Sequence, residues 1–483
     1  MRTLEKYANL NLLWIFPIIV PLGTILLSFY LQEWYWGLMD DAGILGMGRN
    51  FAERFVNDYG ARGFSGGRMQ FTFSLRSAIF YSLFEHTPVI LHLLKWAEAC
   101  LMLLVWSIAV RKISGNQLAA LIFPAVALSF HYLYDTFFFI STHEVLGLLF
   151  WGLALNCYLT AMETEPQFSF VYTSIAGLLF TTLAITTKEP MAAVGVALGI
   201  GFIVLYLANI LISRRALMIG ATLFSGSLGY LILLKFFIQP SRGHVSSYSL
   251  TNLSRILGNL TVWVNKDLFN HSPWLITVIV IGFALCGNMS KRRPLSAFTA
   301  WQVWGMLMGV LLYSAYTLII LPWNTASYYA GPLGVFFAIP VAIFAAQLMP
   351  HTSVSLQILV PIASLLFNML VSQWALTRES LYHYDTQNLM TWVRGNPEFQ
   401  LAADGGLVYC NAMEGGGAIP AHLERDFGVL IPGFKYKGLD QSSFRAGQIM
   451  VYTPRFGSDT DTFSPDLWET QFYSKFWQVY VHN

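Results

Sequence analysis

Long apolar runs separated by short polar segments occupy most of the first 375 residues of the chain. A hydrocarbon core about 30 Å thick needs about 20 apolar residues if a helix is to cross it. By that measure the pattern predicts eleven transmembrane helices, near residues 11–31, 88–110, 118–134, 144–161, 169–187, 190–212, 216–238, 273–289, 296–321, 331–349 and 353–374. The polar segments that separate the apolar runs between 118 and 213 are short and weak, so ten or twelve transmembrane helices stay possible.

The pattern changes after residue 375, where the long apolar runs stop. A helical pattern near 386–397 is followed by strand-like runs at 406–411, 427–431, 448–452 and 477–482, with turn-rich pieces between them. The predicted fold class is therefore an all-α polytopic membrane domain over residues 1–375, followed by a small α/β domain over residues 376–483.

Composition agrees with lipid as the main solvent of the chain. Hydrophobic residues make up 55% of it and charged residues only 11%, against roughly 25% charge in soluble domains. The net charge of +2 gives no reason to expect nucleic acid as a partner, and the 4 cysteines do not require a disulfide. The first apolar run lacks a small-residue cleavage site after it, so we interpret it as a retained helix.

The distribution of basic residues predicts the orientation of the helices. Nine basic residues and three acidic ones fall on one side: Arg2, Lys6, Arg111, Lys112, Arg214, Arg215, Lys291, Arg292 and Arg293 against Glu5, Glu163 and Glu165. Positive charge concentrates in cytoplasmic loops, so this side and the N-terminus are predicted to be cytoplasmic. The other side then carries the loops 32–87 and 239–272 and the C-terminal domain, outside the plasma (bacterial inner) membrane.

Two adjacent carboxylates, Asp40 and Asp41, follow the first predicted helix on the outer side. The segment from Asp41 to residue 55 has apolar residues near helical spacing, which predicts a helix along the membrane surface. The pair can cap that helix, coordinate a divalent cation or act as a base. These alternatives stay open on the residues alone.

A membrane helix, an acidic pair and an amphipathic surface helix in a long first outer loop resemble the GT-C superfamily of glycosyltransferases. The resemblance implies a polytopic enzyme that takes a sugar from a polyprenyl-phosphate carrier and transfers it to a glycan, lipid or protein acceptor. It also implies inversion at the anomeric carbon, with Asp40 or, in preference, Asp41 as the base or metal ligand. Cell-envelope glycan synthesis on the outer face is the expected setting.

Glu144 is a further candidate, because the superfamily often places another acidic residue in the second outer loop. It could complete a Mg or Mn site with Asp41 or orient the acceptor, and His143 could assist. Alternatively, Glu144 only opens the fourth helix, where a carboxylate favours the helix dipole.

Lys188 and Glu189 lie between the fifth and sixth predicted helices, and similar Lys-Glu pairs occur in bacterial members of the superfamily. Lys188 could bind the carrier phosphate while Glu189 holds it in place. The alternative is a local ion pair between the two that ends a helix before Pro190.

A lipid-linked donor carries phosphate, so basic residues of the outer loops are candidates for binding it. The candidates are Arg68, Arg76, Arg242, His244, Arg255 and Lys266, most of which we expect to be only solvated. Tyr328 and Tyr329 resemble an aromatic position near the donor, although the usual arginine is absent there.

Competing functions also have to be considered. Lys95 and Glu98 lie inside the second predicted helix at i, i+3, and we predict a structural ion pair between them; a proton or ion path would instead favour a transporter or lipid flippase. An O-antigen ligase or polymerase would rely on the 239–272 loop. A non-catalytic scaffold has no reason to place Asp40 and Asp41 before a surface helix.

Overall fold

The computed structural model describes the chain in separate stretches. These are residues 48, 50–62, 69–84, 87–128, 133, 136, 140, 142–163, 167–207, 213–236, 257–258, 331–348, 384–404, 407–410, 435–436, 445–452, 467–474 and 477–483. The helices of the membrane domain in these stretches are α1 (Phe51–Arg62), α2 (Phe71–Phe84), α3 (Pro88–Ser114), α4 (Gln117–Leu128), α5 (Glu144–Glu163), α6 (Gln167–Ile185), α7 (Pro190–Leu207), α8 (Arg214–Phe236) and α9 (Gly331–Leu348).

Helices α3 to α9 confirm the predicted spans that fall on described residues, from 88–110 to 216–238 and 331–349. Four of them are long and apolar enough to cross a membrane: Pro88–Ser114, Glu144–Met162, Pro190–Leu207 and Arg214–Leu234. Helix α4 is described as 12 residues only, about 18 Å at 1.5 Å per residue. The predicted spans 11–31, 273–289, 296–321 and 353–374 lie outside the described residues.

The helices of the membrane domain pack through large aromatic side chains and through glycines. Trp96, Trp106 and Trp151 are fully buried in the main apolar core. A Cβ atom at Gly199 of α7 would lie 2.5 Å from the backbone nitrogen of Phe224 in α8, so the two helices meet backbone against backbone. Close approach of this kind is typical of helix pairs in lipid, where dispersion contacts replace the hydrophobic effect.

The first outer loop differs from the prediction in where its helix begins. Asn50 caps α1: its Oδ1 accepts a hydrogen bond from the backbone nitrogen of Glu53 at 3.0 Å, and its Nδ2 donates to Glu53 Oε1 at 2.7 Å. This reciprocal pairing fixes the start of the helix directly after Asn50. A single helix running from Asp41 through residue 55 is therefore wrong.

The same loop contains a second helix, α2, which lies inside the structure rather than on its surface. Its buried residues include Thr72, Ser74, Arg76 and Ser77, and it packs against α1 and α3. Phe55 of α1 meets Phe71 of α2 edge to face, with ring centroids 5.7 Å apart. Arg76, one of the loop cations considered for phosphate binding, is thus a buried residue of a helix and not a solvated one.

The C-terminal domain has the predicted α/β character. Residues 384–395 form helix α10, which Pro397–Asp404 (α11) follows. The strands are β1 (Val408–Cys410), β2 (Lys435–Tyr436), β3 (Ile449–Tyr452), β4 (Trp468–Tyr473) and β5 (Gln478–His482), in the order β2-β1-β3-β5-β4. Strand β1 pairs parallel to β2 and β3, whereas β5 pairs antiparallel to β3 and β4.

Three of the predicted strand runs are confirmed, and one, at 427–431, lies outside the described residues. Helix α11 and strands β2 and β4 were not predicted. The side chains of β4 are mostly exposed, so this edge strand lacks the apolar alternation by which a strand is recognised in a sequence. Trp477, just before β5, is buried and donates to Thr386 Oγ1 of α10 at 3.0 Å, which attaches the helix to the sheet.

Candidate functional site

Three connections of the membrane domain converge at one end of the helices. They are residues 69–72 before and at the start of α2, residues 140 and 142–144 before and at the start of α5, and the turn 186–190 between α6 and α7. The backbone nitrogen of Thr72 donates to Thr186 O at 3.1 Å, and the two threonine hydroxyls lie 2.7 Å apart. We call this region the Glu144 end. The opposite end, with residues 111–117, 163, 167, 207 and 213–215, is called the Lys112 end.

Glu144 and Lys188, which the sequence proposed separately, form a buried ion pair. Lys188 Nζ lies 2.5 Å from Glu144 Oε1. The second oxygen, Oε2, accepts a hydrogen bond from the backbone nitrogen of His143 at 2.9 Å. Glu144 has no exposed surface. It is also the first residue of α5, so it opens the helix as well as binding Lys188.

Glu189 is held by a residue that the sequence did not single out. Gln70 Nε2 donates to both carboxylate oxygens of Glu189, at 3.1 and 3.0 Å. Both side chains are buried. The alternative of a local ion pair between Lys188 and Glu189 is therefore wrong, because their charged groups reach across to α5 and to the residue before α2.

The turn that carries these two residues follows from its own sequence. Pro190 begins α7, and proline suits the first turn of a helix because it has no N–H to leave unpaired. The backbone nitrogen of Met191 donates to Lys188 O at 3.0 Å, and Met191 O accepts from Trp151 Nε1 at 3.0 Å. The turn is thus fixed to α5 by an indole that is itself in the core.

A second group of buried charges joins α2, α3 and the segment before α5. Glu98 accepts two hydrogen bonds from Arg76, Nε to Oε1 at 2.8 Å and Nη2 to Oε2 at 2.9 Å. Lys95 donates to Thr142 O instead. The predicted pair between Lys95 and Glu98 is wrong, because a bidentate guanidinium from α2 takes both oxygens of the carboxylate.

Buried polar atoms without a hydrogen-bond partner lie on the same face of α2. They are Gln70 Oε1, Ser74 Oγ and Ser77 Oγ, spaced so that helical periodicity brings them to one side. All three residues have no exposed surface. Buried polar groups are nearly always satisfied in folded proteins, so a row of unsatisfied ones indicates a place where water or a polar ligand binds.

The remaining candidates fall outside the part of the chain that the structure describes. They are Asp40, Asp41, Arg68, Arg242, His244, Arg255, Lys266, Tyr328 and Tyr329. The described stretches contain no group of three or more histidine, cysteine, aspartate or glutamate side chains that could hold a metal ion. Whether Glu144 shares an ion with Asp41 stays a prediction.

Sequence reasoning missed Gln70 and misplaced Arg76, Lys95 and Glu98. Gln70 is a single uncharged residue in a polar loop, so nothing in the local pattern distinguishes it. For Arg76, Lys95 and Glu98, the sequence did contain a signal that they would be buried and paired. Ionisable residues inside or beside an apolar helix usually pair toward the protein interior, and here each of the three lies in the half of its helix that is nearer the Glu144 end.

Known proteins show little similarity to this chain. No protein-family model matches the chain, and no curated protein matches it either. The crystal structure of ArnT from Cupriavidus metallidurans bound to undecaprenyl phosphate is similar to the chain, at 13% sequence identity and a TM-score of 0.45, covering 96% of this chain and 97% of that one. At this TM-score the similarity does not establish a common fold, and we infer nothing further from it.

Proposed function

We propose that this protein transfers a sugar from a polyprenyl-phosphate-linked donor to a glycan, lipid or protein acceptor. One observation supports this most directly. Glu144 comes from one predicted outer loop and Lys188 and Glu189 from another, and all three are buried at the same end of the helices. Burying charge is costly, so a convergence of this kind is expected where the charges do chemistry.

The chemistry proposed for these residues is acceptor attack with departure of the carrier phosphate. The acceptor oxygen bonds to the anomeric carbon as its proton passes to Asp41, or to Asp40 in its place. The bond between that carbon and the phosphate oxygen breaks, and polyprenyl phosphate leaves with the bonding electrons. Lys188 is the cation proposed to stabilise the developing negative charge, and inversion of the anomeric carbon is the expected outcome.

Lys188 can do this only if its ion pair with Glu144 opens or widens to admit a phosphate oxygen. Glu144 then has one oxygen available and the other held by the His143 backbone. A Mg or Mn ion stays a proposal in which Asp41 and Glu144 would hold the metal and neutralise phosphate charge. Arg68, Arg242, His244, Tyr328 and Tyr329 are proposed as further donor contacts.

A groove between α6 and α8 offers a path for the carrier lipid. Its lining is mainly apolar and includes Leu178, Thr182, Gly226 and Leu233. Tyr230 also lines the groove, and its hydroxyl donates to Met69 O at 3.3 Å, next to Gln70. A prenyl chain in this groove would bring its phosphate toward Lys188. We propose the outer face of the plasma membrane, with a cytoplasmic N-terminus, as the location of the site.

The transporter alternative is weakened by the pairing of Glu98. Lys95 and Glu98 were the feature that favoured transport, and both now belong to the Glu144 end, where Glu98 is bound on both oxygens by Arg76. The loop 239–272, on which a ligase or polymerase would depend, lies outside the described residues apart from 257–258.

The test is to incubate purified protein with polyprenyl-phosphate sugars and to measure release of free polyprenyl phosphate. Asp41→Asn should abolish release while the amount of folded protein stays unchanged, because the amide cannot accept the acceptor's proton. Normal release by that variant would remove Asp41 from the scheme. Absence of release from the parent protein with every donor tried would refute the proposed function.

A further inference from the structure

The backbone at Ile140 and at Thr142, close before Glu144 in the chain, is held by two buried cations from other helices. Arg76 Nη1 of α2 donates to Ile140 O at 2.9 Å, and Lys95 Nζ of α3 donates to Thr142 O. Thr142 Oγ1 in turn donates to Thr136 O at 2.6 Å. Both cations therefore end on main-chain carbonyls of the same short segment.

Arg76 is itself fixed before it reaches the segment. Its Nε and Nη2 bind the two oxygens of Glu98, and its guanidinium lies 4.7 Å from the ring centroid of Phe80. Because the guanidinium is planar and Glu98 holds Nε and Nη2, the direction in which Nη1 can donate is fixed. Nη1 points at Ile140 O. The Glu98 carboxylate thus determines where Arg76 places the segment.

Glu144 depends on this segment for its orientation. The backbone nitrogen of His143 binds Glu144 Oε2, and His143 O accepts from the backbone nitrogen of Gly147 at 3.0 Å, within the first turn of α5. A shift of the peptide at Thr142 would move the His143 nitrogen and release one carboxylate oxygen. Glu144 Oε1 would then no longer hold Lys188 Nζ in one place.

We propose that Arg76, Lys95 and Glu98 are positioning residues for the sugar transfer, acting on Glu144 and Lys188 through the backbone of Ile140, Thr142 and His143. This rests on the proposed function. Of the three residues, Lys95 gives the strongest support for this role, because it has no exposed surface. An apolar side chain of similar length would fill the same space without a charge to desolvate. The hydrogen bond to Thr142 O is one of the contacts that offset the desolvation of this amino group.

Lys112 provides a matched control on the same helix. It lies at the Lys112 end of α3, and its Nζ also donates to a main-chain carbonyl, Asn156 O at 3.1 Å, and to Thr160 Oγ1 at 2.6 Å. Lys95→Met and Lys112→Met therefore remove the same group from the same kind of contact at opposite ends of one helix. Only the first lies near Glu144.

The experiment compares both variants in sugar transfer and in amide hydrogen exchange. Lys95→Met should lower kcat about 100-fold, the size of effect that a misplacement of about 1 Å produces, while KM for the donor changes less than about 2-fold. Exchange in peptides covering 140–147 should speed up in Lys95→Met only. Lys112→Met should match the parent in both measurements.

Equal kcat in the parent and Lys95→Met would overturn the proposal, as would a raised KM with unchanged kcat, since that would place Lys95 in donor binding. If the parent transfers no sugar, the proposed function fails, and exchange alone decides whether Lys95 holds the segment; unchanged exchange refutes that as well. Arg76→Lys gives a second comparison if Lys95→Met does not fold. It keeps the charge but cannot bind Glu98 and Ile140 in the same geometry, so kcat should fall there too.

Discussion

The charged residues at the two ends of the membrane helices lie in opposite environments. At the Lys112 end, Arg111 and Arg214 are exposed, and Lys112 and Arg215 are half-buried. Among the described residues at or near the Glu144 end, six ionisable side chains other than histidine are buried: Arg76, Lys95, Glu98, Glu144, Lys188 and Glu189. The charges at one end are therefore mostly solvated, whereas those at the other are organised into contacts between helices.

The contacts at the two ends differ in kind as well as in burial. Arg215 of the Lys112 end reaches Ala161 O at 3.4 Å and lies over the ring of Phe170. These are contacts of a cation with backbone and aromatic groups near the surface. The Glu144 end instead pairs carboxylates with cations and an amide across different helices. Such pairs fix the relative positions of three connections, which a binding site requires.

The largest effect on this contrast is expected from removing the carboxylate of Glu98. Glu98→Ala leaves the buried guanidinium of Arg76 without its carboxylate, which should lower the free energy of unfolding by about 3–5 kcal/mol. Arg111→Ala, at an exposed position of the same helix, should change it by less than about 0.5 kcal/mol. Thermal or denaturant unfolding in the same detergent measures both. Equal stability of the two variants would show that the ends do not differ energetically.

The next largest effect is expected on catalysis. It compares substitutions of two glutamates at opposite ends of α5, of which only Glu144 belongs to the proposed site. Glu144→Gln removes the charge that holds Lys188, and we expect sugar transfer to fall about 100-fold, or about 2.7 kcal/mol in the transition state. Glu163→Gln, at the last residue of the same helix, should leave transfer unchanged. The readout is release of polyprenyl phosphate. Comparable losses in both variants would contradict a site located at the Glu144 end.

The smallest effect sharpens the comparison within the Glu144 end. Ser74 Oγ is buried without a partner, whereas Ser107 Oγ of α3 donates to Leu103 O at 2.8 Å. Ser74→Ala should leave stability unchanged or raise it slightly, yet weaken donor binding several-fold, because the hydroxyl is kept for a ligand. Ser107→Ala should lose about 1 kcal/mol of stability and no binding.

Donor binding by calorimetry and unfolding by the same method as above separate these two variants. A loss of stability in Ser74→Ala with unchanged donor affinity would mean that its hydroxyl has a structural partner. That result would remove the row of Gln70, Ser74 and Ser77 from the proposed site and leave the ion pairs as its only support.

Much of the architecture was predictable because lipid imposes a simple rule. Backbone groups in a bilayer must be satisfied within the segment, so apolar length translates directly into helices, and α3 to α9 lie where the hydropathy pattern placed them. The start of α1 was not predictable by that rule. It depends on the Asn50–Glu53 cap, a local polar signal that was overlooked beside the more conspicuous Asp40 and Asp41.

The candidate site was predictable only as separate pieces. Glu144 and Lys188 were recognised because charges at helix ends stand out against an apolar background, and their loops were predicted on the same side of the membrane. Their pairing could not be predicted, since 44 residues separate them and hydropathy carries no information about which helices are neighbours. Gln70 and Glu189 are 119 residues apart, and Gln70 is uncharged, so it gave no indication at all.

The sequence by itself determined that the chain is mainly apolar, where its described apolar helices lie, and that Glu144 and Lys188 belong to the same end of those helices. Each of these depends on residues close together along the chain. Only the tertiary structure decided that Arg76 rather than Lys95 binds Glu98, and that Lys188 binds Glu144 rather than its neighbour Glu189. The physical reason is that a buried charge takes the partner that helix packing brings within reach, and packing is set by the whole set of side-chain contacts between helices.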